Sequence, residues 1–148
     1  MSTTLQAERD IEVPVRIAYN QWTQFEDFPH FLSGVVETRQ VDDAHVHWRV
    51  NVGGVEREFD TEITTQEPDR CIAWRSTSGP LHAGEVRFSS DGATTHVKLT
   101  MEWEPEGFFE HAGAALGVDN LQVSRDLDRF ATFIEERGAA TGGWRGSI

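Results

Sequence analysis

Lysine and cysteine are almost missing from this chain, with Lys98 and Cys71 the sole members of their types among 148 residues. A lone cysteine excludes an intramolecular disulfide, and without a cysteine pair no thiolate zinc site can be built, so the expected compartment is a reducing cytoplasm. Long hydrophobic runs are absent too: nothing approaches the roughly 18 apolar residues a spanning helix needs. The opening MSTTLQAERD has neither the basic start nor the apolar stretch of a signal peptide, and no stable membrane insertion is expected. Positive charge is scarce, with 13 basic against 25 acidic residues and a formal charge of −12. Nucleic acid and anionic lipid draw protein affinity from clustered Lys and Arg, so neither is an expected partner. There is no internal repeat, low-complexity block or Pro/Ser-rich linker. A chain of this length buries roughly 70 % of its unfolded surface without disulfide or metal. One domain is expected over residues 1–138, followed by a Gly-rich tail over 139–148 that would be mobile unless Trp144 docks.

What is present is periodicity. Leu5, Ala7, Ile11 and Val13 alternate with Gln6, Glu8, Asp10 and Glu12, the period of two of a half-buried strand, with Arg9 the exception on the apolar face. Pro14 suits the first position of a helix carrying Ile17, Trp22 and Phe25, and a second short helix is expected through EDFPHFL with Pro29 near its start. Between about residues 35 and 104 the pattern becomes repeated strands. Val46, Trp48, Val50 and Val52 oppose His45, His47, Arg49 and Asn51, and Gly53-Gly54 supplies a hairpin turn. Val55, Arg57, Phe59, Thr61 and Ile63 then face away from Glu56, Glu58, Asp60 and Glu62. CIAWRS, a turn near Gly79-Pro80, a strand with Gly84, Val86 and Phe88 inward, and a strand with Val97, Leu99, Met101 and Trp103 inward complete a six-stranded meander. Asp119 and Gln122 mark a capping-box start for a last helix, whose stripe Val123, Leu127, Phe130 and Ile134 ends at Gly138.

The order strand, two short helices, six strands, long helix implies an α+β fold: a curved seven-stranded antiparallel sheet wrapped around the C-terminal helix. A space between sheet and helix is the expected pocket. The segments WTQFEDFPHFL at 22–32, IAWRS at 72–76, GEVRF at 84–88, DLDRFATFIEERG at 126–138 and TGGWRG at 141–146 resemble the polyketide cyclase/dehydrase-like group of the START and birch-pollen-allergen superfamily, SRPBCC, the helix-grip fold. The resemblance covers almost the whole chain and is greatest to a bacterial branch. It implies a cavity for a hydrophobic small molecule, aromatic polyketide-like or lipid-like, and a binding protein as the first reading. A polyketide cyclase or dehydratase is the second. A protein-interaction module with a vestigial pocket is the third. No catalytic residue is carried over from the resemblance.

The candidate ligand-lining residues are Trp48, Arg57, Phe59, Val86, Phe88, Leu99, Met101 and Trp103 from the strands and Leu127 and Phe130 from the helix. Aromatic walls suit flat ligands because they give broad contact at little rotamer entropy, and Met101 adds an adaptable surface. Trp74 joins them with its facing open, since both Cys71/Ala73 and Ile72/Trp74 are apolar. Phe108 and Leu116, in PEGFFEHAGAALGV at 105–118, would sit on a gate over the pocket or on a plain connection. Arg57 and Arg9 interrupt apolar faces, and a buried guanidinium must reach a carboxylate, a ligand oxygen or water. Each either snorkels to the sheet edge or pairs with an acid such as Asp126 or Asp128, or else Arg57 binds a ligand oxygen and, in a cyclase, steadies a developing enolate. Arg57 is therefore the best catalytic candidate. His45 and His47 stand two apart on one face, a spacing metals accept, but they lack a third ligand, so no metal and no cofactor is expected. His82 reads as a solvated loop histidine at a pocket rim. No inward His, Asp or Glu is expected on the strands.

Overall fold

The computed structural model describes residues 3–52, 54–78, 82–103 and 120–148. Alternation drives the first strand, β1 (Thr3–Ile11), in which Leu5 and Ile11 are buried while Thr4, Gln6 and Glu8 are exposed. Helix α1 (Val15–Trp22) follows, with Pro14 as its N-cap in an extended conformation rather than inside the first turn. The second helical segment is a 3-10 helix, Phe25–His30, and Pro29 lies near its end, not its start. Five phenylalanine and tryptophan side chains of this corner, Trp22, Phe25, Phe28, Phe31 and Trp48, form a chain of ring contacts 5.1 to 5.8 Å apart.

Six further strands complete the sheet: β2 (Val35–Asp42), β3 (His45–Val52), β4 (Val55–Glu67), β5 (Cys71–Ser78), β6 (His82–Asp91) and β7 (Thr94–Trp103). Their spatial order is β1-β7-β6-β5-β4-β3-β2, with every neighbouring pair antiparallel. The meander thus brings β7 back beside β1. Register shifts in β2 and in the β4–β5 pair bend the sheet. One of them, between Ile63 and Thr65, turns Gln66 to the inner side, where it is 1 % exposed.

The last helix, α2 (Asn120–Arg137), lays Val123, Leu127, Phe130, Ala131 and Ile134 on the inner face of the sheet. This is the expected helix-grip arrangement. The expected cap at Asp119 lies outside the described residues. Two polar clasps hold α2 to β1 and the residue after it: Arg9 Nη1 to Asp128 Oδ1 at 2.5 Å, and the Glu12 amide to Glu135 Oε2 at 2.9 Å. Arg9 therefore has the acid partner foreseen for it. Gly138, with φ of 66°, accepts the left-handed turn that stops the helix, its amide donating to Ile134 O. Beyond it the tail is docked on α1 and on the β4–β5 turn, through Trp144 and several neighbours.

Candidate functional site

The inner face is an aromatic wall whose members come from different elements. Trp48 on β3 and Phe59 on β4 are register partners and stack at 5.7 Å, and Trp48 stacks on Trp74 of β5 at 5.8 Å. Phe28 joins this group to Trp22, which packs on Phe130 of α2 at 5.0 Å. Trp74 lies flat on its cross-strand partner Gly84, and a Cβ there would stand 2.3 Å from Trp74 Cζ2. The open question of Trp74's facing is thus decided inward. Val86, Leu99, Leu127 and Phe130 are fully buried on this face, with Phe88 and Met101 nearly so. Trp103 pairs through its backbone with Thr3 and His82; its side chain, like Phe108 and Leu116, lies outside the described residues.

Polar groups within the wall are few and specific. The Trp48 indole donates to Thr61 Oγ1 at 2.8 Å, and Thr61 is itself buried. By contrast, Trp22 Nε1 and Trp74 Nε1 are buried with no hydrogen-bond acceptor among the described residues. His82 corrects two expectations at once: it is the first residue of β6 rather than a loop residue, and it is an inward, 1 % exposed histidine. Its imidazole faces the edges or faces of Trp48, Phe59 and Trp74 at 4.9, 5.0 and 6.3 Å. Burial among these rings pushes its pKa down to about 3, so it is neutral at ordinary pH. The signal for this was present, because His82, Gly84, Val86 and Phe88 share one parity; placing the strand start after the Gly79-Pro80 turn hid it.

Arg57 pairs in register with buried Val50 and points to the same side as Phe59, but it is only half-buried. Its Nη1 donates to the Glu56 carbonyl at 3.0 Å. It stands near the β3–β4 turn, at the end of the sheet where β5 ends and β6 begins. The surface histidines are engaged otherwise. His47 contacts Asp60 and Glu58, and His45 contacts Asp42 and Glu62, but among the described residues no three such side chains are placed to hold a metal ion. Cys71 is buried and its thiol is pushed up by desolvation, the opposite of an activated nucleophile. No helix among the described residues is long and apolar enough to cross a membrane.

Comparison with known proteins agrees with this architecture. Residues 11–132 match the family described as polyketide cyclase/dehydrase and lipid transport. An uncharacterised 17.2 kDa protein of Streptomyces lincolnensis, from the melC2-rnhH intergenic region, is 48 % identical over 141 residues, or 94 % of each chain. A Deinococcus radiodurans protein of known structure superposes with a TM-score of 0.75 at 23 % identity, covering 92 % of this chain and 98 % of its own. The Zhui aromatase/cyclase of a Streptomyces species superposes at 0.71 with 14 % identity, covering 97 % of this chain and all of its own. At these identities the two structures speak for the fold.

Proposed function

Because the chain belongs to the polyketide cyclase/dehydrase and lipid transport family, we propose that it binds a flat hydrophobic small molecule, aromatic polyketide-like or lipid-like, against the aromatic inner face beside α2. The observation that carries this reading is the pair of buried indole donors, Trp22 and Trp74, with no acceptor among the described residues. Such a donor costs about 1–3 kcal/mol, and a ligand oxygen placed at either recovers that cost. Trp48, whose indole is satisfied by Thr61, acts as wall alone. In this reading Trp48, Phe59 and Trp74 supply flat contact area, Met101 adapts to shape, and Arg57 reaches a ligand carbonyl, phenolate or carboxylate from the rim.

Mass spectrometry of the purified protein under native conditions tests the reading directly. The expected result is an apolar molecule that stays bound in the native spectrum and is released on denaturation; a ligand-free protein that also takes up no added flat aromatic ketone overturns it. Arg57→Met should weaken that ligand about tenfold, the loss of one charge-assisted hydrogen bond. Unchanged affinity removes Arg57 from the site. His82 favours a second reading, a cyclase or dehydratase, because a neutral imidazole set among the inner-face rings can hydrogen-bond a ligand carbonyl while Arg57 steadies an enolate. A binder returns the added poly-β-ketone unchanged, whereas a dehydrating enzyme returns it lighter by one water.

A further inference from the structure

The tail is held by a dense set of polar contacts. The Thr141 amide donates to Gln21 Oε1 at 2.9 Å, and its hydroxyl to Asp27 Oδ2 at 2.5 Å. The Trp144 amide donates to Thr23 Oγ1 at 3.1 Å. Arg145 donates to Asn20 Oδ1 at 2.7 Å, pairs with Asp69 Oδ2 at 2.8 Å and lies over the Tyr19 ring at 5.5 Å. Ile148 exchanges two backbone hydrogen bonds with Gln66, at 3.0 and 3.2 Å. Those bonds continue the pairing along the edge of β4 beyond Glu62, its last residue paired with β3. Gly142 and Gly143 run so close to α1 that a Cβ would stand 2.7 Å from Gln24 Oε1 and 2.8 Å from Asn20 Cγ.

We propose that Thr141–Ile148 is a releasable strap that closes the α1 end of the interior and gates access to the aromatic inner face. Beneath it, Gln21 and Thr23 are buried polar residues whose side chains bond the strap, and buried Gln66 bonds it through its backbone. An interface that never opened would gain more from apolar side chains there, whereas these exchange their strap bonds for water at little net cost. Closure has a cost at Asp69, whose Oδ2 pairs with Arg145 while its Oδ1 is buried with no donor among the described residues. Release hydrates that oxygen. There is also a route inward, since Tyr19 beneath Arg145 packs edge-on against Phe88 of the inner face at 5.4 Å. Gly138 supplies the joint at which the tail leaves α2.

The gate serves the ligand-binding reading and in that sense rests on it, but its test uses no ligand. In a Trp144→Phe background, which removes the strap's own indole, Arg145→Met and Asp69→Asn are compared with the parent. Asparagine tolerates the left-handed backbone of Asp69, so the second variant tests the ion pair without adding backbone strain. Exchange of the Gln66 amide, which donates to Ile148, is expected to quicken at least tenfold in both while that of Ile72 on β5 stays put. Acrylamide quenching of the remaining indoles should rise about twofold. Unchanged Gln66 exchange overturns the strap's release. Faster Gln66 exchange with unchanged quenching overturns the gate, and Gln66 and Ile72 quickening together in both variants shows a merely structural tail. If native mass spectrometry finds no ligand while both readouts respond, the ligand reading falls and the gate stands.

Discussion

Gly84 owes its importance to an atom it lacks. The Trp74 ring occupies the space a Cβ would need, so the inward position of one aromatic depends on a glycine one strand away. Gly84→Ala should destabilise the protein by about 1–3 kcal/mol, the usual cost of overpacking. Urea denaturation measures it. Trp74→Leu in the same chain should make the added methyl nearly neutral; an equal loss in both backgrounds would place the cost elsewhere. Neither partner's role was legible alone, because the parity of CIAWRS is ambiguous and a glycine on an apolar face reads as a gap. His82 shows the converse: its parity was legible and its burial was not, since burial comes from Trp48 and Phe59 on strands distant in sequence.

At the level of elements, the outer face is clamped by histidines that each bridge two carboxylates. His96 on β7 contacts Asp10 and Glu8 of β1, both at 2.8 Å, and His47 on β3 contacts Asp60 and Glu58 of β4 at 2.7 and 3.0 Å. Hydrogen bonds to these carboxylates raise both imidazoles above their ordinary value, Glu8 first for His96 and Asp60 first for His47. A raised folded-state value means the clamp is fully stabilising below about pH 6.5 and is lost as pH rises through the folded value. His96→Gln should therefore lower stability at pH 6 and have a smaller effect at pH 9, with the pH 6 effect reduced by salt. Urea titrations at the two pH values decide it, and a difference independent of pH would exclude the charged clamp. The alternation that faces Glu56, Glu58, Asp60 and Glu62 outward was readable from a period of two; the pairing of Glu56 with Arg49 and of the other three with histidines required the register.

Across the whole molecule the −12 charge lies largely on a coat whose acids are in part paired by the histidine clamps and by Arg9, while the interior holds a histidine kept neutral. A value depressed to about 3 means the unfolded chain binds a proton that the folded chain refuses, so stability falls as pH drops below about 6.5. Between pH 6.5 and 4.5, above the titration of most carboxylates, that loss should approach about 1.4 kcal/mol per pH unit. His82→Phe should flatten the decline, and an unchanged slope would show that His82 is hydrated and titrates normally. By itself the sequence determined the element order, the inward and outward faces of most strands, the stripe on α2 and the stop at Gly138. These depend on local periodicity and turn chemistry, which each segment carries within itself. Only the tertiary structure decided the facing of Trp74, the burial of His82, the inward turn of Gln66 at a register shift and the docking of the tail. Each depends on a partner far away in sequence, whose distance and register no local pattern encodes.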